Sequence, residues 1–188
     1  MPIDKLIVAT NENDILHRAI SKGDYVSKEV RETISPSMDI QLASNFERLI
    51  YYVNNSDSEK TAEIMKKVKQ NSYQIEKKDL DIIQKDFLSE SCNEQETLDI
   101  IKKNYEENNI ILDPHTAVGV GAAKKLSFND YVVLSTAHPC KFPDATNNAI
   151  NKHEKLPEEL QHVLDKDENF KVLNNNTEEV KNFIKGNE

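Results

Sequence analysis

The sequence predicts an α/β chain in which a short, incomplete parallel sheet carries a charged helical layer. Three observations lead there. Leu6-Ile7-Val8-Ala9 is a continuous apolar run, the pattern of a strand buried on both faces of a parallel sheet. Residues 58–108 carry narrow apolar stripes at helical spacing on otherwise solvated segments. A second short apolar run, Tyr131-Val132-Val133-Leu134, ends in a polar cluster as buried strands of α/β proteins do. A buried strand needs neighbours on both sides, and the chain offers few other runs to supply them. The sheet is therefore expected to be open and incomplete.

The elements follow in order. After the first strand, Thr10-Asn11-Glu12-Asn13-Asp14 can turn the chain and cap a helix bearing Ile15, Leu16, Ala19 and Ile20. Residues 1–22 thus form a strand–helix unit. Gly23-Asp24-Tyr25 reads as a turn or exposed loop. Ser35-Pro36 is a helix-start signal, and Leu42, Phe46, Leu49, Ile50 and Val53 then share a stripe, predicting a helix over 36–53. Three further helices are marked by Ile64, Met65 and Val68, by Leu80, Ile83 and Phe87, and by Leu98, Ile101 and Tyr105, so 23–109 is expected to be mostly helical. Asp113-Pro114 again pairs a cap with a first helical residue. The helix behind it carries Ala117, Gly119, Gly121, Ala122 and Ala123, small enough for close approach by another backbone or a ligand. Residues 110–150 resume the sheet-bearing part. Residues 151–188 read as a helical tail, with one helix opened by Pro157 and another carrying Val180, Phe183 and Ile184.

Composition narrows the function classes. In 188 residues, 24 Lys+Arg against 33 Asp+Glu give a net charge of −9, which supplies no positive field to collect nucleic-acid phosphates. No apolar run approaches the roughly 18 residues of a membrane helix, and no basic segment precedes an apolar one at the start. No nucleic-acid or membrane partner is expected. The two cysteines, Cys92 and Cys140, are far apart and form no C-x-x-C pair, which suits a reducing cytoplasm. Four glycines are few for a chain that must cradle a phosphorylated cofactor in a backbone nest.

Chemistry-bearing side chains gather in two otherwise apolar stretches, Asp113-Pro114-His115-Thr116 and Ser135-Thr136-Ala137-His138-Pro139-Cys140-Lys141-Phe142. Hydroxyls can donate to or accept from a ring nitrogen, and a lysine can meet a phosphate as a point charge. His138 is expected at such a site. His115 is read first as a cap-region or satisfied buried histidine. No H-E-x-x-H or tight zinc spacing occurs, so no metal is expected. No base is fixed beside Cys140, and no nucleophile–base–orienter triad is visible.

Four ordered blocks then carry a resemblance. Leu6 to Leu16, Ser35-Pro36-Ser37-Met38-Asp39-Ile40 with Ser44-Asn45-Phe46-Glu47-Arg48-Leu49, Asp113 to Gly119, and Leu134 to Pro139 with Lys141-Phe142 resemble the C-terminal half of threonine synthase. The resemblance implies part of a fold-type II pyridoxal-phosphate enzyme fold, tryptophan synthase beta-like, with a helical insertion. It implies a lyase converting O-phospho-L-homoserine and water to L-threonine and phosphate, with pyridoxal 5'-phosphate as cofactor. Matched residue by residue, Thr136 resembles the hydroxyl facing the pyridine nitrogen, with Ser135 its neighbour. A neutral hydroxyl there does not force that nitrogen into its protonated form. His138 and Lys141 match the same block and are expected at the phosphate-bearing end of the substrate. Asn45 and Arg48 lie in the Ser-Asn-Phe-Glu-Arg block; Arg48 is either an anion partner or a surface helix arginine. Ser37 and Asp39 are expected to organise the start of their helix. Cys140 stands where the family usually has alanine.

One departure bears on activity. The family's Schiff-base lysine lies in a Phe-Lys-Asp context, and no Phe-Lys-Asp occurs here; Phe170-Lys171-Val172 does not match. The family's Gly-Asn-Phe-Gly phosphate loop is also absent from the sequence. No catalytic lysine is therefore assigned, and the chain alone is expected not to turn over. The implied partners are the substrate and, where the enzyme is divided between two chains, a separate N-terminal half. The alternative is a non-catalytic remnant or binding fragment.

Overall fold

The structure is a computed structural model, and it describes residues 2–128, 130–152 and 154–186. It contains two compact units, residues 1–155 and 156–188.

In the first unit β1 (Leu6–Thr10) forms where the sequence places it and leads into α1 (Ile15–Lys22). Its burial is less complete than the continuous apolar run suggests, with Leu6 47 % exposed. Asp14 occupies the N-cap position of α1 without capping a backbone N–H through its side chain; its carboxylate accepts from Arg18 Nε at 2.8 Å instead. Gly23 ends α1 in the left-handed region at φ 77°, which a side chain would strain. The turn that follows is buried rather than exposed. Tyr25 is 1 % exposed, with its ring 5.0 Å from that of Phe46.

The Ser35-Pro36 signal starts only a 3₁₀ turn, Pro36–Met38, and α2 begins later, spanning Phe46–Val53. The predicted helix over 36–53 is thus shortened at its front. Ser35 and Asp39, which would have opened it, are drawn into hydrogen bonds with Asn11. Leu42 falls outside α2 and is 49 % exposed, while Phe46, Ile50 and Val53 keep the buried stripe. Next come α3 (Ser58–Lys69), capped by Asp57, and α4 (Lys77–Asp86). Tyr25, Phe46, Ile50, Ile64, Val68, Tyr73, Leu80 and Ile83 join Ile15, Ala19 and Ile20 of α1 in one core.

A strand unforeseen in the sequence follows α4 without a break. β2 (Phe87–Ser91) pairs in parallel with β1, Leu6 opposite Phe87 and Thr10 opposite Ser91. The helices between the strands supply the long crossover that parallel pairing requires. After β2 come α5 (Glu94–Asn108), opened by a capping box between Asn93 and Glu96, and α6 (Pro114–Lys125). Both α1 and α6 pack on the strand pair, and α5 packs on α6. The small residues of α6 serve this packing: a Cβ on Gly121 would lie 2.6 Å from Cys92 Sγ and 2.7 Å from Ile100 Cδ1.

Tyr131 to Leu134, expected as a strand, is not one. Among the described residues no strand pairs with it, and Val132 and Leu134 are 75 % and 77 % exposed. It runs irregularly over α6, where Gly119 admits it: a Cβ there would meet Val133 Cγ1 at 2.9 Å. A 3₁₀ turn at Pro139–Lys141 leads to α7 (Pro143–Ile150), which packs on α5. The second unit holds α8 (Glu158–Gln161), a single turn behind Pro157, and α9 (Thr177–Lys185), capped by Asn176. Among the described residues no helix is long and apolar enough to cross a membrane.

Candidate functional site

The N-terminus of α6 is where separate pieces of sequence meet. Asp113 is its N-cap, 1 % exposed, and its carboxylate accepts from the His115 N–H at 3.0 Å and the Thr116 N–H at 3.4 Å. Pro114 at the first helical position has no N–H to satisfy, and the helix dipole favours an anion there. The same carboxylate accepts from the Thr116 hydroxyl and, at 3.0 Å, from His115 Nδ1. A carboxylate can only accept, so Nδ1 carries the imidazole proton and Nε2 is left as an acceptor. Nε2 accepts the Ser37 N–H at 3.2 Å. His115 is thereby a satisfied buried histidine, as read from the sequence, and it also holds the 3₁₀ turn at Pro36–Met38.

Thr116 reaches the other side. With its proton given to Asp113, its Oγ1 accepts the Thr136 N–H at 3.1 Å. The rings of His115 and Phe142 lie 4.6 Å apart, fixing the far end of the same segment. Behind the 3₁₀ turn is a second polar cluster at the carboxyl end of β1. Asn11 Nδ2 donates to Thr33 Oγ1 at 2.8 Å, Ser35 Oγ at 3.0 Å and Asp39 Oδ1 at 2.7 Å. Asn13 Nδ2 donates to Asp39 Oδ1 at 3.0 Å and to the Arg31 carbonyl at 2.9 Å. Asp39 Oδ2 accepts the Thr33 N–H at 2.9 Å. Asp39 therefore organises its turn, and Ser37 joins through its backbone. A chain of contacts runs from the end of β1 through the 3₁₀ turn and His115 to the segment bearing Thr136.

The sequence-predicted residues sit as follows. Ser135 and Thr136 are exposed, and the Thr136 N–H is held by Thr116. His138 is exposed; its Nδ1 accepts the Cys140 N–H at 3.2 Å, which leaves Nε2 for a ligand. With Pro139, Asn147 and Lys152 it lines an open groove of about 820 Å³. Lys141 is exposed, its Nζ 5.9 Å from the Phe142 ring centre. Asn45 and Arg48 lie apart, exposed at the start of α2. Among the described residues no side-chain hydrogen bond joins them to the 135–142 segment. In the sequence Asn11 and Asn13 read only as part of a turn and cap cluster, and Thr116 only as a member of a polar stretch, with no individual role for any of the three. Among the described residues no group of three His, Cys, Asp or Glu could hold a metal ion.

Known proteins match this chain along nearly its whole length. The family model described as "Threonine synthase, C-terminal" covers residues 116–184. Threonine synthase of Saccharomyces cerevisiae is 42 % identical over 213 residues, spanning 98 % of this chain and 41 % of the relative. The enzyme of Pseudomonas aeruginosa is 36 % identical over 189 residues, with 98 % and 40 % covered. The chain matches the C-terminal portion of threonine synthase. Its structure agrees: a crystal structure of PLP-bound threonine synthase from Brucella melitensis superposes with a TM-score of 0.86 at 38 % identity, over 98 % of this chain and 40 % of that one. The fold is thus part of the fold-type II threonine synthase architecture, mostly helical with a small parallel sheet. The chain spans about two fifths of the length of the threonine synthases it matches.

Proposed function

We propose that this chain supplies the C-terminal part of a threonine synthase site, at which O-phospho-L-homoserine and water become L-threonine and phosphate with pyridoxal phosphate as cofactor. The observation that carries the reading is the Thr116–Thr136 hydrogen bond, 3.1 Å, which fixes the backbone of an exposed residue that bears a hydroxyl. A hydroxyl so anchored fits a ring nitrogen that needs a neutral partner. When bound, the cofactor's pyridine ring withdraws electrons from the reacting carbons of the substrate. Thr136 and Ser135 would hold the nitrogen side of that ring. Lys141 and His138 Nε2 would meet the phosphate-bearing end of the substrate, the lysine as a point charge and the imidazole as a hydrogen-bonding group. Arg48 and Asn45 serve an anion from α2. Soluble surroundings in a reducing cytoplasm suit its free thiols, Cys92 and Cys140.

The sequence holds neither a Phe-Lys-Asp lysine nor a Gly-Asn-Phe-Gly loop. In this reading both come from an N-terminal portion, and the 188 residues alone release no phosphate. The experiment is a chimera in which this chain replaces the segment of the yeast relative that it matches. The chimera is expected to release phosphate from O-phospho-L-homoserine. Thr136→Val is expected to cut kcat/KM at least about tenfold, the effect of one lost hydrogen bond to a charged or polar partner. A chimera that folds and binds the cofactor but releases no phosphate contradicts the reading and favours a binding fragment.

A further inference from the structure

We infer that Asp113 is a positioning residue: through Thr116 it sets the Thr136 backbone, and through His115 it sets the turn at Ser37. The inference rests on the proposed function for the target of the Thr136 hydroxyl, and on the geometry alone for the rest. Each intermediary is oriented by Asp113 and then spends its remaining capacity on one segment. The Thr116 hydroxyl gives its proton to Asp113, so the lone pair at Oγ1 can only accept, and it accepts the Thr136 N–H at 3.1 Å. The imidazole gives its Nδ1 proton to the same carboxylate, so Nε2 can only accept, and it accepts the Ser37 N–H at 3.2 Å. Without the carboxylate, the hydroxyl and the ring are free to turn their protons outward and present a donor to a donor.

Asp113 and its intermediaries are 1 % to 5 % exposed, so water competes little for the bonds among them, while the two bonds to the Ser37 and Thr136 N–H groups are part-buried. Two segments, at Ser37 and at Thr136, are therefore referred to a single carboxylate. Phe142, with its ring 4.6 Å from that of His115, keeps the segment from pivoting about Thr136. Asp113 touches neither ligand; it acts through residues that do the holding. The nearby Asn11–Asp39 cluster holds the other side of the Ser37 turn, so loss of the His115 contact alone should loosen that turn without releasing it.

The test separates geometry from function. In the first arm, amide exchange is measured at Ser37 and Thr136 in the full chain. Thr116→Val is expected to lose protection at Thr136 and keep it at Ser37. His115→Phe should do the reverse, and His115→Gln, whose carbonyl can stand where Nε2 stood, should restore Ser37. Asp113→Asn is expected to weaken both. Protection at Thr136 that survives Thr116→Val, or at both amides in Asp113→Asn, overturns the inference. In the second arm the yeast chimera is titrated with pyridoxal phosphate. Thr116→Val is expected to weaken binding about tenfold with an unchanged melting temperature, the size of one hydrogen bond. Thr116→Ser, which keeps the hydroxyl, should recover it. A parallel fall in melting temperature with no rescue by serine marks a merely structural role and overturns it. An unmutated chimera that never takes up the cofactor fails the proposed function, while the exchange pattern still decides whether Asp113 sets both segments.

Discussion

Arg18 is 5 % exposed and wholly enclosed by acceptors: Asp14 at 2.8 Å, the Val26 carbonyl at 2.9 Å, Gln41 Oε1 at 3.4 Å, and Asp24. Removing one partner of such a pair strands the others. The carboxylates left behind stay 29 % and 30 % exposed, so Arg18→Ala is expected to lower unfolding free energy by about 1.5–3 kcal/mol in denaturant titration. Burial raises the Asp24 carboxyl, but the hydrogen bond and charge of Arg18 outweigh it and leave the group below its ordinary value. A depressed carboxyl lends stability above its unfolded value and loses it as pH falls through the folded one. Asp24→Asn should therefore flatten the acid limb of a stability–pH curve without altering the alkaline limb. Tyr73 lies on that alkaline limb. Burial, with Asp79 and Glu76 nearby, pushes its phenol up to about 12. The buried neutral ring stabilises the fold below the unfolded value, and that stability is lost as pH rises toward the folded one. Tyrosinate absorbance should rise with the alkaline unfolding transition in the wild type, and Tyr73→Phe should move that transition to higher pH. The candidate site residues were legible in the sequence as polar chemistry, not as a proven site. Ser135, Thr136, His138 and Lys141 stood out as polar groups between apolar ones. Thr116 reads as part of a polar stretch with no role of its own, because a threonine in the first turn of a helix is ordinary until a second segment is seen to lean on it.

The elements show where local sequence suffices and where tertiary pairing decides. Asp113-Pro114 starts α6 as read, because cap and first-turn proline act within a few residues. Phe87 was read as the last residue on a helical stripe with Leu80 and Ile83, yet it begins β2. Nothing in Phe87-Leu88-Ser89-Glu90-Ser91 breaks a helix; the ladder to β1 makes the strand, and β1 is about eighty residues away. Tyr131 to Leu134 errs in the opposite direction. Its β-branched run has strand character but no paired neighbour among the described residues, and pairing is what turns propensity into a strand. The glycines of α6 give a contrast that can be measured. Gly121→Val drives a side chain into Cys92 and Ile100 between α5 and α6, and should cost about 1–3 kcal/mol in thermal unfolding. Gly119→Ala meets only the tip of Val133, whose segment can shift, so it should change the melting temperature little while loosening the Thr136 amide.

At the scale of the molecule, the scarcity of glycine and the short sheet describe one condition. Two parallel strands support a helical layer and a site edge, but the sequence contains neither a lysine in its family context nor a glycine loop for a phosphate. The acidic balance solvates the helices; under the proposed function, anion binding falls to a few cations, Lys141 and Arg48 among them. What the chain does supply is a fixed edge, in which one buried aspartate refers the Ser37 turn and the Thr136 segment to each other. The central claim is that this edge completes a threonine synthase site when the remaining portion is present. The most direct measurement is phosphate release from O-phospho-L-homoserine by this chain, with pyridoxal phosphate, before and after adding the separately produced N-terminal portion of the yeast relative. The account predicts no release from either piece alone and turnover from the mixture that Thr136→Val diminishes. Release by the chain alone, or a mixture that assembles with the cofactor yet stays inert, would contradict it.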